Sequence, residues 1–209
     1  VVAPRHILGA KIGEEIATVQ CNSCGHCFQP YIYNQNEMDR IYSEAGGKNS
    51  ASGVEQKWID KRSAAFTNRV CKDYLRFGGE QPLKILDFGG GNGNLSRGVA
   101  DFFHCKATLV DPYIAAHQSR ADETFNSLTE IGPKEKFDLI ICSHVLEHVW
   151  DLTSLLNDIA GKLTKKGLVY IDVPFELHVP LLLGNLGDPA HVQYFSTFHL
   201  SQILETNGL

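Results

Sequence analysis

From Leu83 to Leu209, short apolar runs alternate with segments of helical spacing. The apolar runs are bounded by turn residues and predict buried strands at 84–88, 107–111, 124–127, 137–142 and 168–173. The segments between them predict helices at 94–103, 115–121 and 152–163. This alternation is typical of a parallel sheet with helices on both faces. The sequence therefore predicts an α/β class fold over residues 81–209, Rossmann-like and doubly wound with a mostly parallel sheet.

Two different segments precede this region. Residues 1–35 are rich in Cys, Gly, Tyr and Val, with short alternating patterns that predict small strands of a cysteine-containing, zinc-ribbon-like module. Residues 36–80 carry helical spacing and predict a helical connector or lid. Its clearest part ends at the pair Gly78 and Gly79, and one face of it carries Phe66, Val70, Tyr74 and Phe77.

The two ends of the sequence lead us to expect more chain on both sides. The sequence begins at Val1 without an initiator Met, and it stops at Leu209 at the end of an amphipathic helix. Without further strands, the sheet edge near 168–173 would be exposed. We therefore expect the α/β region to be truncated at its C-terminus.

Composition and charge narrow the class of partner. The chain has 209 residues, 43% of them hydrophobic, which is enough for one α/β domain with a small appendage. The net charge is -5 and the basic residues are scattered, so a small-molecule substrate is favoured over nucleic acid. No apolar run is long enough to cross a bilayer, and no signal peptide is recognisable. The six cysteines form no recognisable disulfide framework, so we expect a cytoplasmic protein. A homo-oligomer is compatible with these features.

A glycine-rich loop directly follows the first predicted strand of this region. The sequence Ile85-Leu-Asp-Phe-Gly-Gly-Gly-Asn-Gly93 lacks the third glycine of a dinucleotide fingerprint, because Asn94 stands there. It fits Asp-x-Gly-x-Gly-x-Gly completely, with Asp87, Gly89, Gly91 and Gly93. Asp111 ends the next predicted strand, where a carboxylate can accept hydrogen bonds from ribose hydroxyls.

These residues resemble the class I S-adenosylmethionine-dependent methyltransferases. The resemblance implies that Asp87 and the glycine loop hold the methionine part of the cofactor and that Asp111 binds its ribose. It places the adenine beside Asn126, where the family commonly has Asp. Ser143, at the end of the fourth strand, is expected to line the same crevice.

The segment His144-Val-Leu-Glu147-His148-Val149 resembles one found in a large subgroup of these enzymes. On one interpretation, His148 positions or deprotonates the acceptor, since imidazole titrates near neutrality. On another, His144, Glu147 and His148 bind a divalent ion, as Glu-x-x-Glu-His does in the similar methyltransferases of quinone biosynthesis. Imidazole in place of a carboxylate would favour a transition metal over magnesium. On a third, Glu147 and His148 brace the following helix.

Two further segments resemble the sugar methyltransferases that carry a zinc module. Ala190-His191-Val-Gln-Tyr194-Phe-Ser196 is similar to their Glu-His-x-x-Tyr-Phe-Ser segment, which implies that His191 faces the acceptor, although Ala190 replaces the Glu. Cys21-Asn-Ser-Cys24-Gly25 is similar to their second zinc knuckle and implies a structural zinc ion on Cys21 and Cys24. The other ligands would lie upstream of Val1 or come from Cys27, His26 or His6, and unligated thiols are the alternative.

The sequence thus predicts a methyltransferase that uses S-adenosylmethionine and acts on a small hydroxylated metabolite, with a nucleotide-linked sugar as the leading acceptor. The expected catalytic residues are His148, His191 and Glu147. The alternatives are a quinone or phenol O-methyltransferase with the metal site described above, a non-catalytic subunit that binds the cofactor, and a nicotinamide dehydrogenase.

Overall fold

The computed structural model describes residues 5–8, 15–29, 53–82, 84–114, 118–175 and 191–209 of the chain. These residues fall into two compact units, which we call the sheet unit (within 45–143 and 158–172) and the histidine unit (within 1–44, 144–157 and 173–209). The domain boundaries predicted near residues 35 and 80 stay a prediction. The helices and strands are, in chain order, β1 Arg5–Leu8, β2 Glu15–Gln20, β3 Cys27–Phe28, α1 Gly53–Arg76, β4 Lys84–Phe88, α2 Asn94–Phe103, β5 Lys106–Val110, β6 Glu123–Phe125, β7 Phe137–Ser143, α3 Leu152–Lys162, β8 Leu163–Asp172, β9 Gln193–Tyr194 and α4 Thr197–Thr206.

The sheet unit is built on five parallel strands in the order β6-β5-β4-β7-β8. β4 lies at the centre and its Ile85, Leu86 and Asp87 are fully buried or nearly so, because the central strand of such a sheet has neighbours on both edges and helices on its faces. This confirms the Rossmann-like, parallel-sheet fold predicted from the sequence.

Helices α1 and α2 pack on the sheet to form the main core. α2 buries Val99, Ala100 and Phe103, which its helical period places on one face. The ring of Tyr74 from α1 meets Phe103 edge to face, with centroids 5.5 Å apart. Phe77 does not lie on the buried face of α1, where the sequence predicts it. The helix ends at Arg76, and the Phe77 side chain is 71% exposed.

The structure differs from the predicted elements at two places in the sheet unit. Residues 118–121 of the helix predicted at 115–121 contain no α-helix, and 115–117 lie outside the described residues. β8 begins at Leu163, where the sequence pattern predicts the end of a helix, and its pairing with β7 shifts register between Phe137 and Leu139. Such an irregularity lets a strand start earlier than the continuous apolar run indicates.

The histidine unit contains four antiparallel strands in the order β1-β2-β3-β9. β3 pairs with β9 over two residues, Cys27 with Tyr194 and Phe28 with Gln193. Gln29 follows β3, is fully buried and donates its side-chain N–H to the carbonyl of His191 at 2.7 Å and to the hydroxyl of Tyr194 at 3.1 Å. Segments far apart in sequence are thereby held in one unit. In the described part of the chain, no helix combines the length and apolar character needed to span a membrane.

Candidate active site

The loop after β4 has the backbone conformation that its glycines allow. Gly89, Gly91 and Gly93 have φ angles of 72°, 57° and 72°, in the left-handed region that side chains with a Cβ rarely adopt. The N–H of Gly89 donates to the carbonyl of Val110 on β5 at 2.8 Å, which fixes the start of the loop. A Cβ at Gly91 would meet nothing within 4 Å, so the backbone there borders open space.

Asp87 lies under this loop as a buried acid. Burial raises the pKa of its carboxyl to about 6, and hydrogen bonds from the side chain and backbone of Ser96 offset part of that rise. Its Oδ2 atom has no hydrogen-bond partner among the described residues. A buried carboxylate oxygen without a donor is suited to a cationic ligand group, such as the ammonium of an amino acid.

Gly90 carries the first testable prediction. A Cβ built on Gly90 would lie 2.2 Å from Oδ2 of Asp87, so Gly90→Ala must displace either the buried carboxylate or the loop. We expect the free energy of unfolding to fall by about 1–3 kcal/mol and cofactor affinity to fall with it, measured by urea unfolding and calorimetric titration. Gly132→Ala is the matched control, because a Cβ there meets nothing within 4 Å. Equal effects of the two substitutions would contradict this account.

Asp111 follows β5 and is tied to the glycine loop. Its Oδ2 accepts the N–H of Gly91 and its Oδ1 accepts the N–H of Tyr113, both at 2.9 Å. Each oxygen keeps a lone pair for a ribose hydroxyl. The sequence predicts the ribose contact but not the bond to the loop. The adjacency of the two parallel strands, each ending in an acid or glycine loop, is the signal that could have revealed it.

The other two predicted cofactor contacts follow neighbouring strands. Asn126 comes directly after β6, is exposed, and donates its backbone N–H to Glu130 at 3.2 Å. Ser143 is the last residue of β7, where it pairs with Asp172 of β8. Because these strands are parallel, their carboxyl ends meet at one edge of the sheet, where ligands bind in open α/β folds. Roles for Asn126 and Ser143 stay predictions.

In the histidine unit, the segment after β7 forms a tight turn. His144 has φ 54°, an uncommon left-handed conformation for a residue with a side chain, and Leu146–His148 form a single 3-10 turn. The Glu147 side chain is fully buried. Its Oε1 lies 3.3 Å from Nδ1 of His144 and 4.0 Å from Nε2 of His148.

His191 is brought against this turn. Its ring lies edge to face on that of His148, with centroids 4.7 Å apart. The neighbouring N–H of Val192 donates to the backbone carbonyl of Glu147 at 2.6 Å, while Gln29 holds the carbonyl of His191. The structure therefore assembles His148, His191 and Glu147, the three residues predicted to be catalytic. Sequence reasoning missed Gln29, since no local pattern relates it to His191.

The cysteine turn brings the thiols of Cys21 and Cys24 within hydrogen-bonding distance of each other. Backbone N–H groups of Cys24 and then Ser23, followed by the Cys24 thiol, donate to the sulfur of Cys21 and lower its pKa. Cys27 donates instead to the carbonyl of Gly25, and Nε2 of His26 bonds to the side chain of Gln193. His6 is described only as backbone of β1. Among the described residues, no group of three or more possible metal ligands includes a cysteine, and the sequence-based zinc assignment stays a prediction.

Comparisons with known proteins agree with the glycine loop. Residues 61–209 match the family described as "Methyltransferase domain". The ubiquinone biosynthesis O-methyltransferase of Bradyrhizobium diazoefficiens is 31% identical over 99 residues, which cover 43% of this chain and 39% of that protein. The methyltransferase CalO1 of calicheamicin biosynthesis, in its SAH-bound form, is similar in structure, with TM-score 0.57 and 14% identity over 81% of this chain and 55% of that chain. The mitomycin 7-O-methyltransferase MmcR has TM-score 0.51 and 19% identity over 82% of this chain and 60% of that chain.

The parallel sheet is Rossmann-like, and the glycine loop with the acids at its edge forms a candidate cofactor site. The chain belongs to the methyltransferase-domain family that residues 61–209 match. It spans less than two thirds of the length of the relatives named above.

Proposed function

We propose that the protein transfers the methyl group of S-adenosylmethionine to a hydroxyl oxygen of a small hydroxylated metabolite. The observation that carries the proposal is the pair His148 and His191, whose rings lie 4.7 Å apart beside a buried glutamate. His148 follows β7 by only five positions in the chain, directly after the strand end that lines the ligand edge in folds of this kind.

The reaction is an in-line displacement, so the protein mainly aligns the reacting groups and excludes water. When bound, S-adenosylmethionine supplies a methyl group on a positively charged sulfur. Asp87 would accept hydrogen bonds from the ammonium of the methionine part, and Asp111 would bind the ribose hydroxyls. Of the two histidines, one donates a hydrogen bond to the acceptor and the other accepts the proton that leaves its hydroxyl.

Two resemblances of the chain favour two different classes of acceptor. The resemblance of the His191 and Cys21–Gly25 segments to sugar methyltransferases favours a nucleotide-linked sugar. The 31% identity to a ubiquinone biosynthesis O-methyltransferase favours a phenol related to a quinone precursor. Both present a hydroxyl on a small molecule, which suits a chain of net charge -5 better than a nucleic acid does.

The test is a turnover assay that measures S-adenosylhomocysteine released in the presence of nucleotide-linked sugars and of catechol-type phenols. We expect release above the acceptor-free rate with one class, and O-methylated product by mass spectrometry. Cofactor binding by calorimetry without turnover on either class would contradict the proposal and favour a non-catalytic binding subunit.

The proposed zinc knuckle gives a separate prediction. We expect Cys21→Ser and Cys24→Ser each to lower the zinc content of the purified protein by about one equivalent per chain, because a site that loses a thiolate binds poorly. Metal content is measured by mass spectrometry. Cys142→Ser is the matched control, since this buried cysteine lies in β7 of the sheet unit. Unchanged zinc in all three variants would refute the knuckle.

A further inference from the structure

We propose that Glu147, His148 and His191 form a binding site for a divalent transition-metal ion, with the ion at the acceptor position. The inference rests on the proposed function and deepens it. With the ion bound, both histidines are ligands, and the ion takes over the activation of the acceptor hydroxyl that the metal-free mechanism assigns to a histidine base. The site also differs from the set His144, Glu147 and His148 that the sequence alone suggests, because His191 takes the place of His144.

The buried carboxylate is the first observation. Glu147 is fully buried, and neither of its side-chain oxygens has a hydrogen-bond partner among the described residues. Buried carboxylates in proteins are paired, hydrogen-bonded or bound to a metal, since desolvation is otherwise costly. Nδ1 of His144 lies 3.3 Å from Oε1, but the His144 side chain is 49% exposed and forms no hydrogen bond with either carboxylate oxygen.

The distances are the second observation. One ligand atom each from Glu147, His148 and His191 can be chosen so that all lie within 4.8 Å of one another. Among the described residues, which include Cys21 and Cys24, no other three His, Cys, Asp or Glu side chains bring their ligand atoms this close together. A bound ion with bonds of about 2.0–2.2 Å would draw the atoms to roughly 3–3.5 Å apart, which small side-chain rotations can achieve.

The third observation is how firmly the ligand-bearing backbone is held. The two chain segments are joined by the bond from the Val192 N–H to the Glu147 carbonyl at 2.6 Å. Gln29 fixes the carbonyl of His191, and Gln193 donates to the carbonyl of Val149 at 3.2 Å. These bonds fix the backbone that carries the ligand side chains, and ligands held in place before an ion arrives favour its binding.

Two imidazoles and one carboxylate select the type of ion. Imidazole suits zinc, copper, iron and nickel, whereas magnesium prefers oxygen ligands. Three protein ligands leave coordination positions for an acceptor oxygen, as in catalytic rather than structural zinc sites. The ion would lower the pKa of the acceptor hydroxyl, whose proton passes to solvent water. The acceptor oxygen then forms a bond to the methyl carbon while the carbon–sulfur bond breaks and its electron pair stays on sulfur.

The test is a cobalt(II) titration of the full chain after treatment with a chelator. Cobalt on imidazole and carboxylate gives visible ligand-field bands, while cobalt on the cysteine turn adds an intense sulfur charge-transfer band, so the two sites are separated in one protein. We expect one equivalent without sulfur character, displaced by zinc. Glu147→Gln and His191→Gln should remove it with at least a roughly 100-fold loss of affinity. Circular dichroism checks that both variants are folded.

His144→Gln is the matched control and separates the two ligand sets. It should keep the sulfur-free cobalt spectrum, because His144 is not one of the three ligands. Absence of that spectrum in the parent chain, or its loss in His144→Gln but not in His191→Gln, would overturn the site. Methyl transfer by metal-free protein would overturn it while leaving the proposed function intact. Cobalt binding combined with no methyl transfer to any tested acceptor would instead support the metal site and contradict the proposed function.

Discussion

His148→Gln is expected to lower turnover by roughly 100- to 10,000-fold while leaving the affinity for S-adenosylhomocysteine unchanged. The substitution removes the imidazole that stands 4.7 Å from the ring of His191, whether it accepts a proton or binds an ion. The residues assigned to the cofactor, Asp87 to Gly93 and Asp111, belong to the sheet unit and are untouched. Initial rates with the best acceptor and calorimetry with S-adenosylhomocysteine give the two quantities.

A control must show that the loss is not general damage to the histidine unit. His199→Gln serves, since His199 bonds through Nε2 to the carbonyl of Cys24 and through Nδ1 to Ser196. We expect it to retain turnover within a few-fold. If His148→Gln also keeps full turnover, His148 is not part of the catalytic machinery and the proposed mechanism fails at its centre.

The parts of the fold that the sequence predicts well are those where local signals agree. β4 and α2 have the predicted bounds, because a short apolar run ends in Asp87, three glycines need a turn, and the next apolar residues repeat at helical spacing. The end of α3 and the start of β8 were predicted wrongly, since the strand begins with Leu163-Thr-Lys-Lys and its pairing is irregular there. A polar start of a strand carries no period-two signal.

The candidate site divides in the same way. The glycine loop and Asp111 could be found from sequence, because they directly follow apolar strands. The pairing of β3 with β9 could not be found from sequence, because two-residue strands show no periodicity and these two strands are more than 160 positions apart. The approach of His191 to His148 and Glu147 accompanies that pairing and the bond from Val192, so only the folded chain reveals it.

We expect Asp87 to couple the pH dependence of stability to cofactor binding. Its unfolded-state pKa is 3.8 and its folded-state pKa is raised to about 6 by burial, so the folded state holds the proton more tightly than the unfolded state. Stability from this group is therefore present in full below about pH 4. It is lost as pH rises to about 6, and the total cost above that pH is about 3 kcal/mol.

Asp87→Asn is accordingly expected to stabilise the cofactor-free protein at neutral pH by up to about 3 kcal/mol. It should also lower the affinity for S-adenosylmethionine by at least roughly 30-fold. The parent should bind about tenfold more weakly for each pH unit below 6, because the carboxyl must ionise to pair with the ammonium, whereas the variant should lack this dependence. Urea unfolding and calorimetry between pH 5 and pH 8 measure both effects. Asp101→Asn is the control, since Asp101 lies exposed on α2 in an ion pair with Arg97. A variant that binds as tightly as the parent across this range would show that Asp87 serves the loop alone, through Ser96, and that the ammonium is held elsewhere.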